Sequence, residues 1–369
     1  MVLIPVEQLA KTPYRKFHYW KNPAPDTIGS TSSEFLHKLP GPTHIHVPGR
    51  NSNRCRAVAT LLHGNEASGL HAVFEVLRQK IIPAVDIHYF IPSVDAARQA
   101  PGFIYRMLPD QKDLNRCFKE PFDDTEQDQL AQELLTNLER INPECVIDIH
   151  NTSSSSPSFG VATFMDERHD SLVSLFTNRL IVTDLILGSL MEISHSKMPV
   201  VTIECGGTED SKSNQMASEG LLKYITHENV LLEPHTDMSF EVFHNPVRVE
   251  LRGKSEIAYG HRCLLAEGVT LLPDIDNFNF GYVQPENCLG FVSGNLATKL
   301  TVIDINRQER VLDYLRLSKG ALYPTRRLRL FMATTNPEIA RKDCLFYFCL
   351  LYTSPSPRDL STSRMPSSA

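Results

Sequence analysis

No run of apolar residues in this sequence is long enough to cross a bilayer, and the N-terminus lacks the apolar core of a secretory leader. There is no CxxC pair. The eight cysteines are scattered, which suits reduced thiols in a cytoplasmic protein better than a disulfide framework. A basic excess is missing too: the formal net charge of −6 leaves no electrostatic footprint for nucleic acid. No internal repeat is evident. What is present is a chain of 369 residues, 41% hydrophobic and 22% charged, long enough for two domains and a sizeable core. These features predict a cytoplasmic protein with an anionic or neutral small-molecule substrate, and no nucleic-acid or membrane partner. Whether it forms a homo-oligomer is left open.

Residues 1–42 are rich in Pro and Ser and read as an irregular lead-in. His44-Ile45-His46-Val47 reads as a short half-buried strand with its polar residues outward. Arg56 to Leu62 is a second strand, Ala67 to Lys80 a helix with Leu70, Val73, Phe74 and Leu77 at helical spacing, and Val85 to Ile91 a third strand closed by Pro92. Asp95 to Phe122 is long and irregular, and loops of that length in a compact domain are usually functional. Thr125 is a candidate N-cap for a helix reaching Arg140. Cys145 to His150, Phe159 to Met165 and Val200 to Glu204 read as strands, with helices over Leu172 to Ile181 and Asn214 to Thr226. This alternation predicts a doubly wound α/β domain over 43–235. Short β-like runs (Val247 to Leu251, Cys263 to Ala266, Leu289 to Val292) separated by turn residues predict a smaller, mostly β domain over 236–340. Residues 341–369 read as a disordered tail, foreign to the fold from about 344 onward: an apolar run, Leu345 to Leu351, without an obvious partner precedes a Ser/Pro/Arg-rich end.

Three of the apolar strands end in an ionisable side chain. The first closes on His63, with Glu66 three residues later. The second ends at His150 and the third at Glu204. Ligand sites of open α/β sheets gather where strands end and the chain turns away. Two His and one Glu with a fourth position open to water is the donor set of catalytic zinc. Each residue alone is as readily a solvated strand end, because short motifs recur by chance. All of them together, each at the carboxyl end of an apolar run, point to one centre.

His63-x-x-Glu66, Asp113-Leu-Asn-Arg116, Asp148-Ile-His150-Asn-Thr152 and Ile203-Glu204-Cys-Gly206 resemble the motifs of the succinylglutamate desuccinylase/aspartoacylase family, in the family's order. That family is itself similar to the zinc carboxypeptidases. The resemblance implies a doubly wound mixed sheet of the zinc-carboxypeptidase type with a smaller C-terminal β domain. It implies one Zn2+ per chain on His63, Glu66 and His150, with Glu204 as general base and acid. Asn115 and Arg116 would hold a substrate carboxylate. Arg106 would polarise the scissile carbonyl, with Arg98 as a competitor for that role. The implied reaction is hydrolysis of the amide bond of an N-acyl amino acid.

The aspartoacylases carry a substrate-binding arginine about ten residues before the catalytic Glu. The corresponding stretch here, Glu192 to Pro199, has none, which argues against N-acetylaspartate. Ser158-Phe159-Gly160-Val161 is closer to the desuccinylases, so an N-succinylglutamate-like substrate is favoured. A zinc carboxypeptidase acting on short or modified peptides, and a non-catalytic binding module of the same fold, are the alternatives. Asp148 either orients a histidine or is simply buried, and His195 is a minor candidate for specificity. Cys205 reads as a small buried thiol. His71 and His88 read as structural, and Tyr259 or Tyr282 of the β domain is expected to reach over the pocket.

Overall fold

The computed structural model describes residues 17–208, 210–232, 240–303 and 309–350. Nine strands form the larger sheet: β1 (His18–Lys21), β2 (Thr43–Val47), β3 (Asn51–Thr60), β4 (Val85–Ile91), β5 (Val146–Thr152), β6 (Phe159–Ala162), β7 (Arg179–Val182), β8 (Val200–Gly207) and β9 (Glu241–His244). Their spatial order is β1-β2-β4-β3-β5-β8-β6-β7-β9. The centre, β4-β3-β5-β8, is parallel, whereas β2 runs antiparallel to β4 and β6 antiparallel to β8.

The central strands read as continuous apolar runs because both faces of the sheet are covered. Successive side chains alternate between faces. Val58, Ile147, Ile149, Val201 and Ile203 pack with Leu70, Val73 and Leu77 of helix Ser68–Arg78 and with Leu221 and Tyr224 of helix Ser211–Thr226. Ala57, Ala59, Val146 and Val200 pack on the other face with Leu130, Leu134 and Leu138 of helix Glu126–Ile141, whose Thr125 cap accepts from the Asp128 N–H. Asp148, His150, Thr202 and Glu204 share the parity of Val146 and Val200. They therefore line up on this second face, with Asp148 beside Thr202 and His150 beside Glu204 in register.

The described residues of 247–350 build two five-stranded sheets around a second apolar core. One runs Tyr282–Val283, Leu328–Phe331, Phe346–Leu350, Val247–Leu251, Leu300–Ile303. The other runs Ile257–Tyr259, Gly268–Leu271, Gly290–Ser293, Ala321–Pro324, Leu315–Ser318.

The structure corrects several expectations. Residues 17–42 are not irregular: β1 pairs with β2, and two short helices bury Ile28, Phe35, Leu36 and Leu39. These elements are too short to show a period. His44 and His46 do not point to solvent. His44 Nε2 lies 2.9 Å from His88 Nδ1 and His46 Nε2 2.9 Å from Asp86, because β2 is flanked by strands on both sides. The helix expected over 172–181 is Glu167–Ser174, started by Asp166 accepting from Arg168 and His169, and the chain then enters β7. Residues 263–266 are not a strand. The boundary at 236 also moves, since β9 adds to the larger sheet beside β7.

The tail expected from 341 does not hold for 341–350. Phe346–Leu350 is a central strand with Phe346 and Phe348 in the second core, and its partners lie about 20 and 100 residues away in sequence, beyond any local pattern. The rest of that expected tail, and positions 1–16, lie outside the described residues.

Candidate metal centre and active site

At the end of β3 the chain bends sharply. Leu61 has φ +57°, held by the Ser93 N–H donating to its carbonyl at 3.1 Å and by Ser93 Oγ donating to the Leu62 carbonyl at 2.8 Å. A branched apolar residue in the left-handed region is strained, and such strain persists only where neighbours enforce it. The bend aims His63 and Glu66 across the strand ends. Gly64 follows because nothing larger fits. A Cβ there would lie 2.6 Å from the Tyr105 carbonyl and 2.7 Å from Ala96 and Ala97. Its N–H donates to the Arg106 carbonyl at 2.8 Å, tying the Arg106 loop to the same turn.

The Glu66 carboxylate receives both imidazoles, with His63 Nδ1 at 2.8 Å from Oε1 and His150 Nδ1 at 2.7 Å from Oε2. Each histidine gives its other nitrogen to a second carboxylate: His63 Nε2 to Asp113 at 2.9 Å and His150 Nε2 to Asp148 at 2.7 Å. One ligand atom from each of His63, Glu66 and His150 lies within 4.8 Å of the others, and all three residues are buried. Burial opposes a charge on His150, but Asp148 and Glu66 outweigh it and raise its pKa well above the usual value. Burial likewise opposes ionisation of Glu66, and His63 and His150 overcome it, holding the carboxyl far down. The proton held on His150 thus supplies positive charge where a divalent cation would sit. A cation there would take a nitrogen lone pair from each ring. Two His and one Glu, with each ring fixed from behind by a carboxylate, fit zinc.

Glu204 stands beside His150 on the neighbouring strand, 8% exposed. Its Oε2 is buried and has no hydrogen-bond partner among the described residues. Burial lifts its carboxyl to about 7. A buried carboxyl without a partner, at a pKa near neutrality, can both take and give a proton.

The third group comes from the long loop. Asp113 accepts from the Asn115 N–H at 2.9 Å as well as holding His63, so one carboxylate fixes a candidate ligand and the short turn Leu114–Arg116 together. The Asn115 amide oxygen accepts from the Leu190 N–H at 3.0 Å, leaving its NH2 as the donor for the cavity it lines. Arg106 donates to Asp113 at 3.0 and 3.2 Å and lies 3.4 Å from Glu66. Arg98 points elsewhere, to the Leu39 carbonyl and Asp95, so Arg106 is the arginine at the centre.

A cavity of about 140 Å³ brings His63, Glu66, Arg106, Asn115, Arg116, His150 and Glu204 together. The β domain closes one side of it with Phe331, Ile339, Asp343 and Tyr347. Neither expected tyrosine lines it. Tyr259 donates to the Thr334 carbonyl at 2.8 Å, and Tyr282 packs against Arg327 and Arg329. Tyr347 is the tyrosine at the cavity, and Arg248 donates to its hydroxyl at 3.2 Å. Sequence reading missed Tyr347 and Asp343 because both fall where a tail was expected. It missed the orienting role of Asp113, although that residue stands in the Asp-Leu-Asn-Arg motif. Asp148 does orient His150. His195 is exposed and does not line the cavity, and Cys205 is buried with its thiol pushed up by burial first and by the Glu204 and Glu66 charges.

The fold and the site define an α/β protein with a candidate metal centre at the carboxyl ends of its central parallel strands. Residues 57–224 match the model of the succinylglutamate desuccinylase/aspartoacylase catalytic domain. Among solved structures, the chain is similar to a succinylglutamate desuccinylase/aspartoacylase from Rhodobacter sphaeroides, at 14% identity and a TM-score of 0.51 over 84% of this chain and 88% of that one. It is similar to the succinylglutamate desuccinylase of Chromobacterium violaceum, at 13% identity and a TM-score of 0.51 over 86% and 90%. The ectoine utilization protein of Ruegeria pomeroyi gives 15% identity and a TM-score of 0.50 over 82% and 86%. At these identities the likeness is one of fold. No curated protein sequence matches the chain. Among the described residues, no helix is long and apolar enough to cross a membrane.

Proposed function

We propose that this chain is a zinc-dependent hydrolase that cleaves the amide bond of a small N-acyl amino acid. The observation that carries the reading is the convergence of His63 Nδ1 and His150 Nδ1 on Glu66, beside the partnerless carboxylate of Glu204. His63, Glu66 and His150 would hold the ion, with Asp113 and Asp148 keeping each ring turned Nδ1-inward. Zinc, when bound, supplies Lewis acidity and a water whose pKa is lowered to about 7.

Glu204 takes a proton from the attacking water, whose oxygen joins the carbonyl carbon, and delivers it to the amine nitrogen as the C–N bond breaks. Arg106, with its charge fixed by Asp113, donates to the carbonyl oxygen as negative charge develops there. Asn115 and Arg116 receive the substrate carboxylate, for which a guanidinium fork is suited. The small cavity, walled by the β domain, favours an acyl amino acid over a peptide chain. Free cysteines throughout the described residues suit a cytoplasmic location. The N-succinylglutamate-like substrate favoured by the sequence needs cationic partners for several carboxylates.

The test is a hydrolysis screen over N-acyl amino acids with zinc-loaded protein. Glu204→Gln is expected to keep its metal and lose turnover by about 100-fold or more. Full activity in that variant would remove Glu204 from the mechanism.

A further inference from the structure

The cavity is lined by the candidate metal ligands, Glu204, Asn115 and Arg116, by an apolar group (Val161, Ile181, Leu185, Leu187, Met191 and Phe331), and by the hydroxyl-bearing Ser153, Thr183 and Ser189. Among the described residues that line it, the cations other than the two candidate histidine ligands are Arg106 and Arg116.

Neither arginine can serve a carboxylate on the apolar wall. Arg106 is committed to Asp113 at 3.0 and 3.2 Å and faces Glu66. Arg116 is assigned to the first substrate carboxylate and already shares its guanidinium with Asp343 at 3.3 Å. Asp343 adds a negative charge to the cavity lining, held by Arg248 at 2.7 Å. A second substrate carboxylate would thus meet aliphatic carbon, neutral hydroxyls and a like charge, with no further cation among the described lining residues to balance it.

The apolar wall is also built to hold its shape. Glu192 accepts from the N–H groups of Leu187, Gly188 and Ser189 at 2.7 to 3.0 Å, which locks the turn that carries Leu185 and Leu187. Gly188 has φ +87°, and a Cβ there would lie 2.5 Å from the Arg116 carbonyl. Its own carbonyl accepts from the Phe118 N–H at 3.0 Å, while the Leu190 N–H donates to Asn115. The wall and the carboxylate site are therefore fixed to each other through direct backbone contact.

We propose that the substrate is a monocarboxylate: an N-acyl amino acid that places its one carboxylate on Asn115 and Arg116 and an aliphatic or aromatic group against the wall of Leu185, Leu187 and Met191. Compounds with two or more carboxylates, such as N-acetylaspartate and N-succinylglutamate, are excluded. This rests on the reading of the site as a deacylase. The apolar group is carried by either the amino acid or the acyl chain, and the two arms of the test separate these sources.

Zinc-loaded protein is assayed with N-acetylphenylalanine and N-acetylleucine (apolar side chain), N-hexanoylglycine (apolar acyl chain), N-acetylaspartate and N-succinylglutamate. One of the apolar arms is expected to exceed both N-acetylaspartate and N-succinylglutamate in kcat/KM by at least about 100-fold. Leu187→Arg is expected to narrow that ratio at least about tenfold by giving a second carboxylate a partner. Leu185→Arg, at another half-buried position, guards against one variant failing to fold. Calorimetry with the unhydrolysed ligands supplies a readout independent of turnover. Tighter binding of the apolar compounds without hydrolysis would sustain this inference and overturn the proposed reaction. A preference for N-acetylaspartate or N-succinylglutamate, in binding or turnover, overturns the inference and leaves the reaction standing. No hydrolysis and no binding of any compound overturns both.

Discussion

Glu204 offers a test in which stability, rather than activity, reports the state of the site. In the metal-free protein its carboxyl is lifted from an ordinary 4.5 to about 7, with burial as the leading cause. A folded pKa above the unfolded one means the native state holds the proton more tightly, so stability declines as pH rises from about 4.5 to 7. The full decline for this one group is about 3 kcal/mol, taking about 1.4 kcal/mol per pKa unit. Gln at this position keeps the shape and cannot ionise. Urea unfolding of metal-free wild type and Glu204→Gln at pH 5 and pH 8 measures the effect. The advantage of the Gln variant is expected to grow from about 1 kcal/mol or less at pH 5 to about 3 kcal/mol at pH 8. Added zinc should shrink the gain at pH 8, because a nearby cation favours the carboxylate. A difference between the two proteins that is the same at both pH values would refute the reasoning, since it would mean that the carboxyl of Glu204 is not perturbed by folding.

Other outcomes follow from particular contacts. Asp148→Asn should weaken zinc affinity by about 10- to 100-fold in a competition assay with a chelating dye while leaving the three ligands in place. Asp343 is opposed by burial but held below its ordinary 3.8 by Arg116, Arg248 and Arg106, so it contributes stability above that pH that is lost as acid protonates it. Asp343→Asn should therefore lower the unfolding free energy measured in urea at pH 7 by about 2 kcal/mol, as for a charge-assisted pair, with the difference from wild type fading in acid.

The parts of the architecture legible in the sequence were those with a strong period. The parallel strands are apolar throughout because both faces are covered, and His63, His150 and Glu204 stood out as the polar residues that end them. Asn115, Arg116 and Arg106 were found through a resemblance of motifs, and the structure brings all of them to one cavity. What was not legible depends on distant partners. Phe346–Leu350 read as an orphan apolar run because its neighbours, Leu328–Phe331 and Val247–Leu251, cannot be inferred from local pattern. That error hid Tyr347 and Asp343 at the same time. The pairing of His44 and His46 with His88 and Asp86 was obscured for a related reason: alternation along β2 shows which residues share a face, not which face is covered.

The central claim is that His63, Glu66 and His150 hold one zinc ion, and zinc titration of the metal-free protein by calorimetry tests it most directly. The account predicts one equivalent per chain for wild type and for Glu204→Gln, and loss of that binding in His150→Ala. Equal zinc binding by wild type and His150→Ala would contradict it.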